Sequence, residues 1–139
     1  MLLFKNSIIT LDYNPAADIL EVAYPDLHGF LLPEIKHSID ILIDNVKNYD
    51  VKRILLDSTR TVISVSEEES REITVSLAAG FMKTRVQKLA RLQSGMATVE
   101  ATAQENIRHI TDSLPLPFQL KNFTSRAEAV AWLSAREAQ

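Results

Sequence analysis

Apolar positions along the chain recur with two periods, and the switches between them mark out the elements. Ile8–Tyr13 and Ile19–Tyr24 are β-rich runs separated by Asn14-Pro15-Ala16-Ala17-Asp18. Asn-Pro favours a turn, so the two runs predict an antiparallel hairpin with a five-residue loop. Pro33 suits the first turn of a helix, where a missing N–H costs nothing. Ile35, Ile39, Leu42, Ile43 and Val46 then follow at helical spacing and extend that helix to about Asn48. Ile54-Leu55-Leu56 is too short for a helix and does not alternate, which predicts a strand covered on both faces and ending on Asp57.

A second helix is predicted over Glu67–Lys83. Ser66 and Glu69 have capping-box spacing, Glu67–Glu69 complement the positive end of the helix dipole, and Ile73, Leu77 and Phe81 line a buried face. Val86–Leu92 predicts the next strand, broken by Ser94-Gly95. Thr98 is the expected cap of a third helix with the stripe Val99, Ala103, Ile107, Ile110 and Leu114, stopped by Pro115 and Pro117. Phe118–Phe123 predicts a last strand, and Thr124 or Ser125 caps a final helix carrying Val130, Trp132 and Leu133. The order ββαβαβαβα predicts a single-domain α/β fold: a mixed sheet with an opening antiparallel hairpin, right-handed crossovers and about four helices. In open α/β sheets, sites lie beyond the carboxyl ends of the strands, which points to Asp57–Ser66 as the working edge.

Composition removes several function classes. The 139 residues suit one domain with a proper core. A net charge of −3 argues against a dedicated nucleic-acid binder. The absence of cysteine removes disulfides and thiolate chemistry and fits a cytoplasmic setting. The opening residues lack the basic region and cleavage site of a signal peptide, and no apolar run reaches the length of a membrane span. There is no GxGxxG, P-loop or GxSxG motif, and three glycines hardly suffice for a phosphate-cradling loop. His28, His37 and His109 lack metal-ligand spacing, so no metal or other cofactor is expected.

Three groups of residues carry candidate chemistry. Asp57, Ser58, Thr59 and Arg60 place a carboxylate, two hydroxyls and a guanidinium at the end of a buried strand, able to bind a partner or a small polar ligand. The simpler reading has Asp57 accepting hydrogen bonds from its own turn and Arg60 solvated. No base or oxyanion donor accompanies them, so no catalytic set is expected. Lys83, Arg85, Lys88 and Arg91 form a basic run that reads as a solvated edge strand protected by its lysines. Phe123 and Trp132 close the core edge or form part of a pocket or dimer surface.

The opening hairpin running through Tyr24 and Gly29 into the Pro33 helix, the stretch Val51–Arg60 followed by Val62–Glu68, and the closing Phe123–Leu133 together resemble the STAS-like domains. These are related to bacterial anti-sigma-factor antagonists, and the branch in question is grouped with lipid-transfer, CRAL-TRIO-like folds. In the antagonists a kinase phosphorylates a serine in an Asp-Ser-Ser-Gly motif at the start of the second helix. The matching stretch here is Ile63-Ser64-Val65-Ser66-Glu67, without that Asp and Gly. The resemblance makes Ser64 and Ser66 candidate binding residues and Ser66 the candidate phosphoacceptor, although helix capping explains Ser66 by itself. It implies a non-catalytic regulatory or protein-interaction module with a protein partner, and an exposed sheet edge or helix face would allow a homodimer. The alternative is a small-ligand or lipid-binding domain with its pocket between the sheet and the later helices. A partner module should expose an apolar patch of several hundred Å² beside the second helix. A ligand carrier should enclose an apolar cavity of a few hundred Å³.

Overall fold

The chain opens as an antiparallel meander of β1 (Leu2–Lys5), β2 (Thr10–Asn14) and β3 (Ile19–Ala23). It continues through β4 (Leu27–His28), α1 (Leu32–Asn48), β5 (Arg53–Asp57), β6 (Ile63–Ser64), α2 (Glu67–Met82) and β7 (Lys88–Leu92). Then come α3 (Ala97–Ser113), β8 (Gln119–Phe123) and α4 (Arg126–Ser134). The computed structural model describes residues 1–23, 27–28, 32–61 and 63–135, with the backbone alone at 27, 28 and 63. Tyr24, Gly29 and Val62, which belong to the segments that resemble STAS-like domains, lie outside the described residues. The main sheet has six strands in the order β1-β2-β3-β5-β7-β8, parallel from β3 onward. A short parallel pair, β4 with β6, joins the segments that precede α1 and α2.

The hairpin pairs Thr10 with Ala23 through to Asn14 with Ile19. Asn14 remains in the ladder, so the loop is one residue shorter than expected. Its side chain accepts hydrogen bonds from the Ala16 and Ala17 amides, and Asp18 takes a left-handed conformation (φ 53°). β1 is an addition to the predicted elements and pairs with β2 across a bulge.

Strand parity explains the two layers. Leu20 and Val22, Ile54 and Leu56, and Leu89 occupy adjacent rungs on one face and pack against α1 and α2. Ile19, Leu55, Ala90, Leu92 and Phe123 occupy the other face, under Ala129 and Leu133 of α4. Ile54, Leu55 and Leu56 are all buried, as a strand covered on both sides requires. Each such side chain contributes about 1.5–3 kcal/mol on leaving water. α1 and α2 approach closely because Gly80 has no side chain; a Cβ there would lie 2.6 Å from Ile43.

Three local expectations are corrected. β7 is not an edge strand, because it lies between β5 and β8. Of the basic run, Lys83 and Arg85 are exposed while Lys88 and Arg91 are buried. Lys88 Nζ donates to the carbonyls of Trp132 and Ala135, and Arg91 pairs with Glu100. Thr98 does not cap α3: the helix begins at Ala97, and its opening is organised by Ser94 and Glu100. In α4, Ser125 is the cap, accepting from the Glu128 amide, and Val130 faces outward while Ala129 and Leu133 are buried.

Candidate functional site

The candidate residues around Asp57 separate into outward and inward groups. Asp57 Oδ1 accepts from the Thr59 amide at 3.0 Å and from the Thr59 hydroxyl at 2.6 Å, so the carboxylate organises its own turn. Thr59 and Arg60 are exposed. Ser66 caps α2 in a complete capping box: its hydroxyl accepts from the Glu69 amide while Glu69 Oε1 accepts from the Ser66 amide, each at 3.1 Å. Ser64 and Ser66 are both exposed at this carboxyl edge.

Ser58 and Thr61 turn the other way. Ser58 extends the parity of Ile54 and Leu56, and its amide continues the ladder to the Leu92 carbonyl at 3.2 Å. The Thr61 amide donates to the Ser58 carbonyl at 3.1 Å, closing the turn. Both side chains are buried, 2% and 4% exposed, and neither Ser58 Oγ nor Thr61 Oγ1 has a hydrogen-bond partner among the described residues. Native interiors leave few polar atoms in this state, because an unmet buried hydroxyl costs about 1–3 kcal/mol.

Both hydroxyls line a partly open cavity of about 70 Å³ between α2, α3 and the face formed by β5, β7 and β8. Four turns of each helix contribute. Ser70, Thr74, Ala78 and Phe81 lie along α2, and Val99, Ala103, Asn106 and Ile110 along α3. The small residues Thr74, Ala78 and Ala103 leave the space that larger side chains would fill. The polar lining gathers toward the carboxyl edge, where Asn106 Nδ2 donates to Ser70 Oγ at 2.9 Å. At the other end Phe81 and Phe118 meet edge to face, ring centroids 6.3 Å apart.

Arg91 also lines the cavity, and its charge is committed. Its Nη1 and Nη2 donate to the two oxygens of Glu100 at 2.8 and 2.9 Å, and Nη1 also reaches Asn122 Oδ1 at 3.2 Å. Burial alone would raise the Glu100 pKa. The hydrogen bonds from Arg91, Gln104 and the Ser94 amide outweigh it and hold the carboxyl below its ordinary range. The pair is a structural unit at the pocket wall.

Ser58 belonged to the candidate set and Arg91 to the basic run, whereas Thr61, Ser70 and Asn106 were not singled out. Parity carried on from Leu56 would have turned Ser58 inward, and Asn106 falls within the apolar stripe from Val99 to Ile110. Thr61 follows an irregular turn that no period reports. Among the described residues, the large exposed apolar side chains are Met1, Leu2, Tyr49, Met96 and Val130, none of them on α2. No group of His, Cys, Asp or Glu among the described residues could hold a metal ion, and no described helix is long and apolar enough to cross a membrane. No protein-family model, curated protein or solved structure matches the chain.

Proposed function

We propose that this protein is a non-catalytic regulatory module of the STAS-like type that binds a small molecule in the cavity beneath α2 and α3. The observation behind this reading is the pair of buried, unpartnered hydroxyls, Ser58 and Thr61, in an otherwise mostly apolar cavity. A bound polar group would meet both and remove their desolvation cost. Neither hydroxyl has a base within hydrogen-bond reach among the described residues, which favours binding over activation as a nucleophile.

The cavity is well below the few hundred Å³ of a carrier for large apolar ligands, so the ligand is small rather than a lipid. Regulation enters through the turn itself. Ser58 and Thr61 face the cavity while the adjoining Thr59 and Arg60 are exposed, where a protein partner would meet them. Ligand that pins the inward pair would fix how the outward pair is presented, together with the exposed Ser64 and Ser66.

A thermal-denaturation screen with small uncharged and charged compounds tests the binding step. Compounds that occupy the cavity should raise the melting temperature of the wild-type protein by an amount that grows with the logarithm of their affinity. They should not do so for Ala103→Leu, whose larger side chain fills the space. Equal responses of the two proteins across the whole library would overturn the proposal.

A further inference from the structure

We infer that the cavity selects a short aliphatic compound with one uncharged oxygen group, an alcohol or a carbonyl, of about three or four non-hydrogen atoms, judged against the roughly 150 Å³ that admits benzene. This inference rests on the reading of the cavity as a ligand site and adds the class of ligand. Size follows from the 70 Å³ of space. A single polar group follows from the layout of the lining, with hydroxyls gathered at the carboxyl edge and Phe81, Phe118 and Ile110 toward the other end.

Charge is excluded by what surrounds the hydroxyls. A buried ion needs an opposite charge or several hydrogen bonds to replace its water. The guanidinium of Arg91 is the cation in the lining, and it is already held by both oxygens of Glu100 and by Asn122. Among the described residues no carboxylate lines the cavity to receive an ammonium group. The start of α2 offers an anion little, because the Ser66–Glu69 box engages the Ser66 and Glu69 amides and the carboxylates of Glu67, Glu68 and Glu69 crowd the first turn. Of the other polar lining, Asn106 donates to Ser70 and Thr74 to the Ser70 carbonyl, which leaves the hydroxyls of Ser58 and Thr61 without a partner among the described residues, each able to donate to or accept from one oxygen.

Methyl-detected NMR titrations of the full chain with propan-1-ol, propanoate, propan-1-amine and xenon test the inference. Propan-1-ol should give saturable shifts at the Ala103, Ile107 and Ile110 methyls, with propanoate and propan-1-amine binding at least about tenfold more weakly. Ser58→Ala/Thr61→Val should weaken propan-1-ol by about tenfold, as two modest hydrogen bonds predict, while xenon binds both proteins alike. That variant removes only unpartnered hydroxyls, so its fold is retained. If xenon shifts these methyls but propan-1-ol binds wild type and variant equally, the class is wrong and the cavity reading stands. Tighter binding of propanoate or propan-1-amine also overturns the class. If neither xenon nor propan-1-ol saturates any of these methyls, the cavity reading itself falls.

Discussion

Arg91 and Glu100 are nearly out of solvent, 7% and 17% exposed, and each satisfies the other through two parallel hydrogen bonds. Such a pair adds little over a well-packed apolar one, but removing one partner leaves a buried charge unmet. Glu100→Gln should therefore cost about 3–5 kcal/mol, read from urea denaturation near neutral pH. The folded carboxyl titrates below its ordinary value, so its stabilisation is present above that value and lost as pH falls through the folded one. The gap between wild type and Glu100→Gln should shrink on acidification, and a gap independent of pH would contradict this. Tyr13 works at the opposite extreme. Burial first, then the hydrogen bond to Asp18 and the charges of Asp18 and Asp50, push its phenol up to about 12 from 10.0. The protonated phenol is the form the fold favours, so this stabilisation is complete below pH 10.0 and is lost as pH rises toward 12. The advantage of wild type over Tyr13→Phe should fall between pH 10.0 and about pH 12 in the same assay.

Among the elements, α2 and α4 show what local chemistry does and does not reveal. The Ser66–Glu69 spacing predicts a capping box, and the box is complete in the structure. Ser66→Ala should cost about 1 kcal/mol, whereas Ser66→Asp, which can still accept from the Glu69 amide, should cost less. Equal losses in thermal melts would argue that the cap contributes nothing. The end of α4 could not be anticipated in this way. Lys88 reaches it across 44 residues of sequence, donating to the Trp132 carbonyl at 3.0 Å and lying 5.3 Å from the centroid of the Trp132 ring. Its second bond, to the Ala135 carbonyl, satisfies another group that the helix leaves open. Lys88→Met keeps the apolar stem and loses both bonds, so the α4 amides should exchange hydrogen faster, with protection reduced by about 1–3 kcal/mol. Unchanged protection would show that α4 is held by Ala129 and Leu133 alone. Lys88 and Arg91 read as a soluble edge because period and charge are local, while burial of β7 depends on β8 arriving beside it.

Across the whole molecule, the strand order grows in one direction from β3 to β8, so the α1, α2 and α3 crossovers lie on one face and α4 returns to the other. That architecture was legible in the sequence because helix stripes and short apolar runs each report a face. β1 was not, since Leu2–Lys5 is half exposed and gains its order only from pairing with β2. The candidate site was legible only to the level of a segment. The rule about carboxyl ends pointed to Asp57–Ser66, and the turn that it marks supplies two of the cavity's hydroxyls. Its inward side was hidden, because the space between α2 and α3 depends on how Ala78, Ala103 and Asn106 meet, which neither helix encodes alone. The most direct measurement is a crystal structure of the protein purified from its own host, at a resolution that distinguishes waters from organic ligands. Continuous density along the cavity, with an oxygen within hydrogen-bond distance of Ser58 Oγ and Thr61 Oγ1, is the predicted result. Separate water peaks bridging the two hydroxyls, with nothing against Phe81 and Ile110, would contradict it.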